Sequence, residues 1–197
     1  MEPKNWPKAF QYSPTCVCRD LNENLLQHYL QTQGAQLLLR KKAIEIHPDI
    51  EIQKITYEFT YNGTLPHPLA GQDVFEGHAQ HGVFAKGKIA KGTILGAYVG
   101  EIFLTKERIS DSLFKQAGIY CWHLFLRGIW LYIYSRKIAN ELTFVNDFHG
   151  LGQEPNVQGK WLQNQGYYFF GYETTKEIEP MQEILIDYQS KKLHHHA

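Results

Sequence analysis

The sequence predicts a mainly β fold with a few helices. Short β-rich segments outnumber helical ones, glycines separate these segments from Gly77 onward, and no internal repeat or low-complexity stretch is present. The strands do not alternate with helices, which argues against a parallel α/β sheet. With 197 residues, the chain is long enough for one main domain and an N-terminal extension.

The first predicted element is a helix in the extension. Asp20 with Glu23 three residues later is a capping pattern, and Gly34 provides a stop. The apolar positions with helical spacing are Leu21, Leu25, Leu26, Tyr29 and Leu30. Beyond them, Ile50 and Ile52 alternate with polar residues, and Ile55, Tyr57, Phe59 and Tyr61 alternate in the opposite register. This pattern predicts two short strands or one bulged strand.

The extension is predicted to end near residue 73. Asn62-Gly63 is a turn signal, and Pro66 and Pro68 follow in a stretch with neither a helical nor a strand period. We therefore predict an α+β extension over residues 1–73, a main domain over 74–189 and a tail over 190–197. His194–His196 in the tail resemble the remainder of a purification tag and are set aside.

The main domain is predicted to consist of short strands with one helical insert. Thr105 caps the insert, which carries Ile109, Leu113 and Phe114 on one face. Arg127-Gly128 between two apolar runs indicates a hairpin, expected to be buried on both faces. The predicted elements are strands at 83–85 and 93–99, a helix at 105–118, the hairpin of 119–126 with 129–134, and strands at 167–172 and 183–187.

Composition excludes several classes of function. Twenty Lys and Arg residues balance twenty Asp and Glu residues, which removes the attraction shown by binders of nucleic acid or acidic membranes. Three cysteines form no disulfide framework. The first thirty residues lack a secretory signal, and no apolar run is long enough to cross a bilayer. We expect an intracellular protein, cytoplasmic or nuclear.

Four segments carry a family resemblance. They are Gly82-Val83-Phe84-Ala85 with Ile89-Ala90-Lys91-Gly92-Thr93-Ile94; Tyr98-Val99-Gly100-Glu101; Thr143-Phe144-Val145-Asn146-Asp147 with Pro155-Asn156; and Lys176-Glu177-Ile178 through Gln182-Glu183-Ile184-Leu185-Ile186-Asp187-Tyr188. In this order they resemble the SET-domain protein lysine methyltransferases. The second matches the family's Tyr-x-Gly-Glu, and the fourth resembles its Arg-x-Ile-x-x-Gly-Glu-Glu-Leu-x-x-Asp-Tyr. The third is an altered form of Arg-Phe-Ile-Asn-His-Ser-Cys-x-Pro-Asn.

The resemblance implies a fold, a reaction and a set of site residues. The fold would be a SET-type arrangement of short β-sheets with a C-terminal pseudoknot, in which the third and fourth segments thread past each other. The reaction would be methyl transfer from S-adenosylmethionine to a lysine of a protein substrate, a histone tail or another protein. By resemblance, the cofactor-binding residues are Gln80, His81, Tyr98, Asn146, Asp147 and Tyr188, and the catalytic residues are Tyr188 and Tyr120.

The chemistry of methyl transfer suits tyrosines. The attacking amine must be neutral although its free pKa is ~10.4, and a dry aromatic channel both aligns the amine and lowers that pKa. Tyr188 would sit at the transfer point and Tyr120 in the channel wall. The alternative for each is an ordinary packing tyrosine on a strand, and Asn146-Asp147 alone would indicate a turn.

The cysteines suggest neither a nucleophile nor a metal site. Cys121 lies in an apolar strand, where a thiol behaves as a small hydrophobic group. Cys16, Cys18 and His28 fall short of the four ligands that a structural zinc site needs. We predict no metal. Leucines of the extension, Leu21, Leu25 and Leu37 to Leu39, suggest self-association through that segment.

Three departures from the family pattern leave a second hypothesis open. Thr143 replaces the arginine, Asp147 replaces the histidine, and the loop 148–154 replaces Ser-Cys-x. Nine residues follow Tyr188, too few for the segment that closes the lysine channel in the family. Either further chain follows in the full-length protein or the extension supplies that wall. The alternative function is a non-catalytic SET-like module that binds a protein partner.

Overall fold

The computed structural model describes residues 2–18, 23–38, 44–58, 66–71, 73–75, 78–104 and 120–188. Within them lie one α-helix, a 3-10 helix over Glu141–Phe144 and many short strands, so the mainly β prediction is confirmed. The elements are α1 (Glu23–Thr32), β1 (Gln11–Tyr12), β2 (Val17–Cys18), β3 (Ile50–Lys54), β4 (Asp73–Phe75), β5 (His78–Ala79), β6 (His81–Ala85), β7 (Ile94–Ala97), β8 (Glu101–Phe103), β9 (Cys121–Leu126), β10 (Ile129–Tyr134), β11 (Ile138–Ala139), β12 (Asn146–Asp147), β13 (Val157–Asn164), β14 (Tyr167–Thr174) and β15 (Leu185–Ile186).

The strands form two larger sheets and three two-stranded ones. One sheet has five strands in the order β12-β15-β13-β14-β7, and another has four in the order β2-β8-β10-β9. The pairs β1-β11, β3-β6 and β4-β5 complete the described ladders. Side chains from both larger sheets, including Trp122 and Phe170, meet in one hydrophobic core. This core supports the site described below.

Helix α1 confirms the first predicted element. Leu26 and Leu30 are buried at helical spacing, while Tyr29 is 41% exposed. Gly34 has φ of +71° after the helix end, a backbone conformation that glycine adopts at little cost. The predicted cap Asp20 lies outside the described residues, as do Leu21 and Leu39.

The second half of the predicted strand pair is wrong as far as the structure describes it. Strand β3 pairs with β6 from Ile50 opposite Ala85 to Lys54 opposite His81. One more backbone bond follows this ladder, since the Ile55 N–H donates to the Gln80 carbonyl at 2.8 Å. Ile55 then turns inward and is buried, whereas Tyr57 lies in a turn and is 67% exposed. Phe59 and Tyr61 lie outside the described residues.

The main-domain strands are largely confirmed. Strands β9 and β10 form the predicted hairpin, and Arg127 and Gly128 between them have φ of 46° and 88°, as a two-residue hairpin turn of this type requires. The expected burial on both faces is wrong, because His123 is exposed and Trp130 is 40% exposed on one side of the hairpin. Strand β13, which pairs along its whole length with β14, was not predicted from the sequence. The predicted helix at 105–118 and the turn at Asn62-Gly63 lie outside the described residues.

The extension shares the core of the main domain. Strand β1 pairs in parallel with β11, β2 pairs in parallel with β8, and Leu37 forms a bridge with Tyr168. Core residues contributed by the extension are Trp6, Phe10, Leu26, Leu30, Leu37, Ile50 and Ile52. The boundary at residue 73 and self-association through the extension stay predictions. None of the helices in the described part of the chain is long and apolar enough to cross a membrane.

Candidate functional site

The site is organised by a parallel pair of short strands. Asn146 lies opposite Leu185 and Asp147 opposite Ile186, so β12 and β15 run side by side. They are distant in sequence, since Asn146 and Glu183, just before β15, are 37 positions apart. The pairing continues where the Phe148 N–H donates to the Ile186 carbonyl at 3.0 Å. The Asn156 amide braces the pair, since its Nδ2 donates to the Glu183 carbonyl at 2.7 Å and its Oδ1 accepts from the Leu185 N–H at 2.8 Å. This is the pairing that the predicted pseudoknot requires.

Tyr188 follows β15 and is held by β12. Its hydroxyl donates to the Val145 carbonyl at 3.0 Å, and its backbone N–H donates to Asp147 Oδ2 at 3.1 Å. The ring lies 5.3 Å from the ring of Trp122. Burial raises the pKa of the Tyr188 hydroxyl above its ordinary value of 10.0. The phenol is therefore neutral at physiological pH.

Two aromatic residues that the sequence analysis did not assign to the site lie behind Tyr188. The Tyr172 hydroxyl is 3.4 Å from the Tyr188 hydroxyl, and Trp122 Nε1 donates to the Tyr172 hydroxyl at 3.1 Å. Tyr98 also packs here, with its ring 5.8 Å from that of Tyr172. No sequence motif contains Trp122 or Tyr172. They lie near Tyr188 only because β9 and β14 pack against the segment that follows β15.

Tyr120 stands just before β9 in an unusual backbone conformation, with φ of 57°. Burial raises the pKa of its hydroxyl to about 12, and its proximity to Tyr188 contributes to the raised pKa of Tyr188. Phe10 of the extension meets the Tyr120 ring edge-on at 5.5 Å, and the Arg136 guanidinium lies 5.4 Å from the Phe10 ring centre. The extension thus contributes an aromatic side chain directly beside Tyr120.

Asn146 is held on three sides. Its Nδ2 donates to the His81 carbonyl at 3.0 Å and to Glu183 Oε1 at 2.8 Å, while its Oδ1 accepts from Gln80 Nε2 at 2.8 Å. The structure thereby brings together Gln80, His81 and Asn146, three of the predicted cofactor-binding residues. Both amide hydrogens of Asn146 are used within the protein.

Glu183 connects this cluster to the extension. Its Oε2 is 3.0 Å from His67 Nε2, and both side chains are fully buried. His67 Nδ1 accepts from the Leu69 N–H at 3.0 Å, so Nε2 carries the proton that is donated to Glu183. A Cβ at Gly82 would lie 2.7 Å from Glu183 Oε1, so a side chain at this position would displace the Glu183 carboxyl group. His67 was not among the predicted site residues, because it lies in the proline-containing stretch that has no helical or strand period.

Asp147 is half-buried at the edge of the site. Its Oδ1 accepts from the His149 N–H at 2.9 Å and also contacts His149 Nδ1, while its Oδ2 is bound by Tyr188. Ligand atoms of Asp147, His149 and Asp187 lie within 4.8 Å of one another, a spacing that a metal ion could bridge. Because both Asp147 oxygens already accept hydrogen bonds, the geometry fits a hydrogen-bonded turn equally well, and the prediction of no metal is unchanged.

Two other residues named by the sequence analysis lie in the core. Tyr98 is 2% exposed, and burial raises the pKa of its hydroxyl well above the ordinary value. Cys16 is buried with its Sγ 3.6 Å from the Tyr98 carbonyl, and burial raises the pKa of its thiol to about 11. His28 is exposed on α1. Cofactor binding by Tyr98 stays a prediction.

Comparison with known proteins gives one family match. The model of the SET domain matches residues 80–189. No curated protein matches the chain. A humanized mutant of the Chaetomium thermophilum Polycomb Repressive Complex 2 bound to an inhibitor is 18% identical with a TM-score of 0.46, covering 56% of this chain and 14% of that chain. The same complex (ctPRC2), autoinhibited and bound to S-adenosylmethionine, is 18% identical with a TM-score of 0.46, covering 61% of this chain and 15% of that chain. The chain thus spans 14% and 15% of the length of these two neighbours.

Proposed function

Because the chain belongs to the SET-domain family, we propose that it transfers a methyl group from S-adenosylmethionine to a lysine side chain of a protein substrate. The predicted SET-type fold is confirmed by the same match. The observation that carries the proposed activity is the position of Tyr188, whose neutral hydroxyl is bonded to the Val145 carbonyl beside Asn146-Asp147. A histone tail or another intracellular protein, cytoplasmic or nuclear, is the proposed substrate.

The residues present fit a sulfonium cofactor. When bound, S-adenosylmethionine supplies an electrophilic methyl group on a positively charged sulfur. The carbonyl of Val145 and the hydroxyl of Tyr188 provide partial negative charge for such a group, and Asp147 adds a half-buried carboxylate. The residues proposed to hold the cofactor are Gln80, His81, Tyr98, Asn146, Asp147 and Tyr188.

The protein's own part in the reaction is to align and desolvate the amine. The Tyr188 hydroxyl donates its hydrogen bond to the Val145 carbonyl, so its oxygen would meet the substrate amine as an acceptor. Tyr120, with Phe10 beside it, is proposed as the wall around the alkyl stem of the lysine. Enclosure by aromatic rings lowers the pKa of an ammonium and releases the neutral nucleophile.

Methyl transfer from labelled cofactor tests the proposal directly. We expect purified protein to label a mixture of core histones or a lysate protein, and Tyr188→Phe to lower the rate about 10- to 100-fold, since a hydrogen bond to a charged group contributes about 1.5–3 kcal/mol. Tyr168→Phe is the matched control, because its hydroxyl bonds to Arg127 at the surface. Absence of label in every protein pool would contradict the proposal.

One observation favours the second candidate, a non-catalytic SET-like module. Both amide hydrogens of Asn146 are bound within the protein, to His81 and Glu183. A cofactor that needs this amide as a donor would have to displace one of these partners. Cofactor binding combined with methyl transfer that Tyr188→Phe slows as predicted would exclude the non-catalytic module, whereas binding of a protein partner without cofactor affinity would favour it.

A further inference from the structure

We propose that Trp122 and Tyr172 are positioning residues for Tyr188, joined to it by a hydrogen-bond chain whose direction is fixed at both ends. The chain runs from the indole N–H of Trp122 through the Tyr172 and Tyr188 hydroxyls to the Val145 carbonyl. The role in methyl transfer rests on the proposed function. The existence and direction of the hydrogen-bond chain do not depend on that function.

The direction follows from what each end can do. An indole N–H only donates and a backbone carbonyl only accepts. The Tyr172 oxygen accepts from Trp122 at 3.1 Å, so its own hydrogen is free to point to the Tyr188 oxygen 3.4 Å away. Tyr188 accepts that hydrogen bond, and its own hydroxyl donates to the Val145 carbonyl at 3.0 Å. With its hydrogen directed at Val145, the Tyr188 hydroxyl can act toward a substrate amine only as an acceptor.

Packing holds the three rings in this order. Trp122 is 1% exposed and Tyr172 is 0% exposed, so water does not compete for their polar atoms. The Trp122 ring lies 4.8 Å from Phe170 and 5.3 Å from Tyr188. The Tyr172–Tyr188 distance is longer than the ~2.7–2.8 Å usual between hydroxyl oxygens. At this length the hydrogen bond from Tyr172 is weak, so we assign it the role of orienting the Tyr188 hydroxyl.

The hydrogen-bond chain passes through Tyr188, where the direction of the hydroxyl hydrogen affects the proposed reaction. If the Tyr188 proton turned toward the substrate, the hydroxyl would become a donor competing for the lone pair of the attacking nitrogen. When the Tyr188 hydroxyl donates its hydrogen bond to the Val145 carbonyl, its oxygen faces the substrate amine as an acceptor. The lone pair of the amine nitrogen is then available to attack the methyl group. Trp122 and Tyr172 thus act through Tyr188, not on the substrate.

Indole N–H signals in a ¹H–¹⁵N spectrum test the chain without any assay of activity. The protein has four tryptophans, and Trp122→Phe assigns the signal of Trp122 by its loss. We expect Tyr172→Phe to shift the Trp122 signal upfield as the acceptor is removed. Tyr188→Phe should shift it less, through Tyr172, and Tyr168→Phe should leave it in place. A Trp122 signal that is unchanged by Tyr172→Phe would overturn the proposal even if the wild-type protein transfers methyl groups.

Steady-state kinetics test the positioning role. We expect Tyr172→Phe to lower kcat about tenfold, the effect of one hydrogen bond, with the KM for S-adenosylmethionine unchanged. Trp122→Phe should act similarly, and the double variant should be no slower than the slower single variant, because residues that act as a unit are not additive. A raised cofactor KM with unchanged kcat, or multiplied losses, would overturn the role. Should Trp122→Phe fail to fold, Tyr172→Phe decides alone, since it removes one oxygen atom. A wild-type protein without transfer activity would refute the proposed function. The ¹H–¹⁵N spectrum would still show whether the hydrogen-bond chain exists.

Discussion

Met181 has φ of 65° in the turn that precedes β15, and its side chain is 63% exposed. The family motif has glycine at this position. A left-handed conformation costs a non-glycine residue about 1–2 kcal/mol, and an exposed methionine gains little burial in return. We expect Met181→Gly to raise the free energy of unfolding in urea by about 1 kcal/mol. Met181→Ala keeps the Cβ and should give no gain; an equal gain would refute the strain.

Buried tyrosine hydroxyls make the fold sensitive to alkali. Burial raises the pKa of Tyr98, Tyr120, Tyr172 and Tyr188 above the value of the unfolded chain. Below about pH 10 both states are protonated, so their contribution is constant. Above it the unfolded chain loses protons that the folded protein keeps, and stability falls by up to about 1.4 kcal/mol per pH unit for each such group. Urea unfolding followed from about pH 8 to about pH 11 should show this decline, and a flat profile would contradict it.

At the scale of single residues, sequence motifs predicted the site residues on β12 and after β15, but not the buried residues that contact them. Tyr188, Asn146 and Asp147 stand in recognisable segments and meet as expected at β12 and β15. No motif contains His67, Trp122 or Tyr172, and their partners are distant in sequence, as for His67 and Glu183, which are 116 positions apart. Such contacts follow from tertiary packing, which local sequence patterns do not encode.

At the scale of elements, turn chemistry was the most reliable guide. Arg127-Gly128 predicted the β9-β10 hairpin, and Gly34 predicted the end of α1. Strand β13 was missed because polar residues and Gly159 interrupt its alternation, so its burial pattern emerges only against β14. The predicted continuation beyond β3 was wrong because the chain turns at Tyr57 after one last backbone bond from Ile55 to Gln80. Strand patterns report burial, and burial is decided by the neighbouring strand.

The β14-β7 pairing yields a prediction for a single element. A Cβ on Gly171 would lie 2.2 Å from the Gly96 carbonyl oxygen, a backbone atom that cannot move aside without breaking the ladder. We expect Gly171→Ala to lower the free energy of unfolding by about 3 kcal/mol or more. Gly87→Ala is the control, because its Cβ would meet the flexible Asp49 side chain at 3.2 Å. Equal effects of the two substitutions would contradict the close approach of the strands.

At the scale of the whole molecule, the extension is part of the folded unit. His67 donates a buried hydrogen bond to Glu183, and leaving a buried polar group without such a partner costs about 1–3 kcal/mol. We expect His67→Ala to lower stability by about 2 kcal/mol or more in thermal or urea unfolding, since the substitution also removes buried volume. His28→Ala, at an exposed position of α1, should have little effect. Wild-type stability in His67→Ala would mean that the segment 66–71 is not tied to the site.

The central claim, that the chain is a SET-domain enzyme using S-adenosylmethionine, is tested most directly by calorimetric titration of the protein with this cofactor. The titration needs no knowledge of the substrate, and it examines the β12-β15 pair, the altered third segment and the bonded Asn146 together. We predict micromolar binding that Asp147→Ala weakens, since Asp147 borders the proposed site and holds the Tyr188 backbone. No heat of binding in the folded wild-type protein would contradict the enzyme assignment and favour the non-catalytic module.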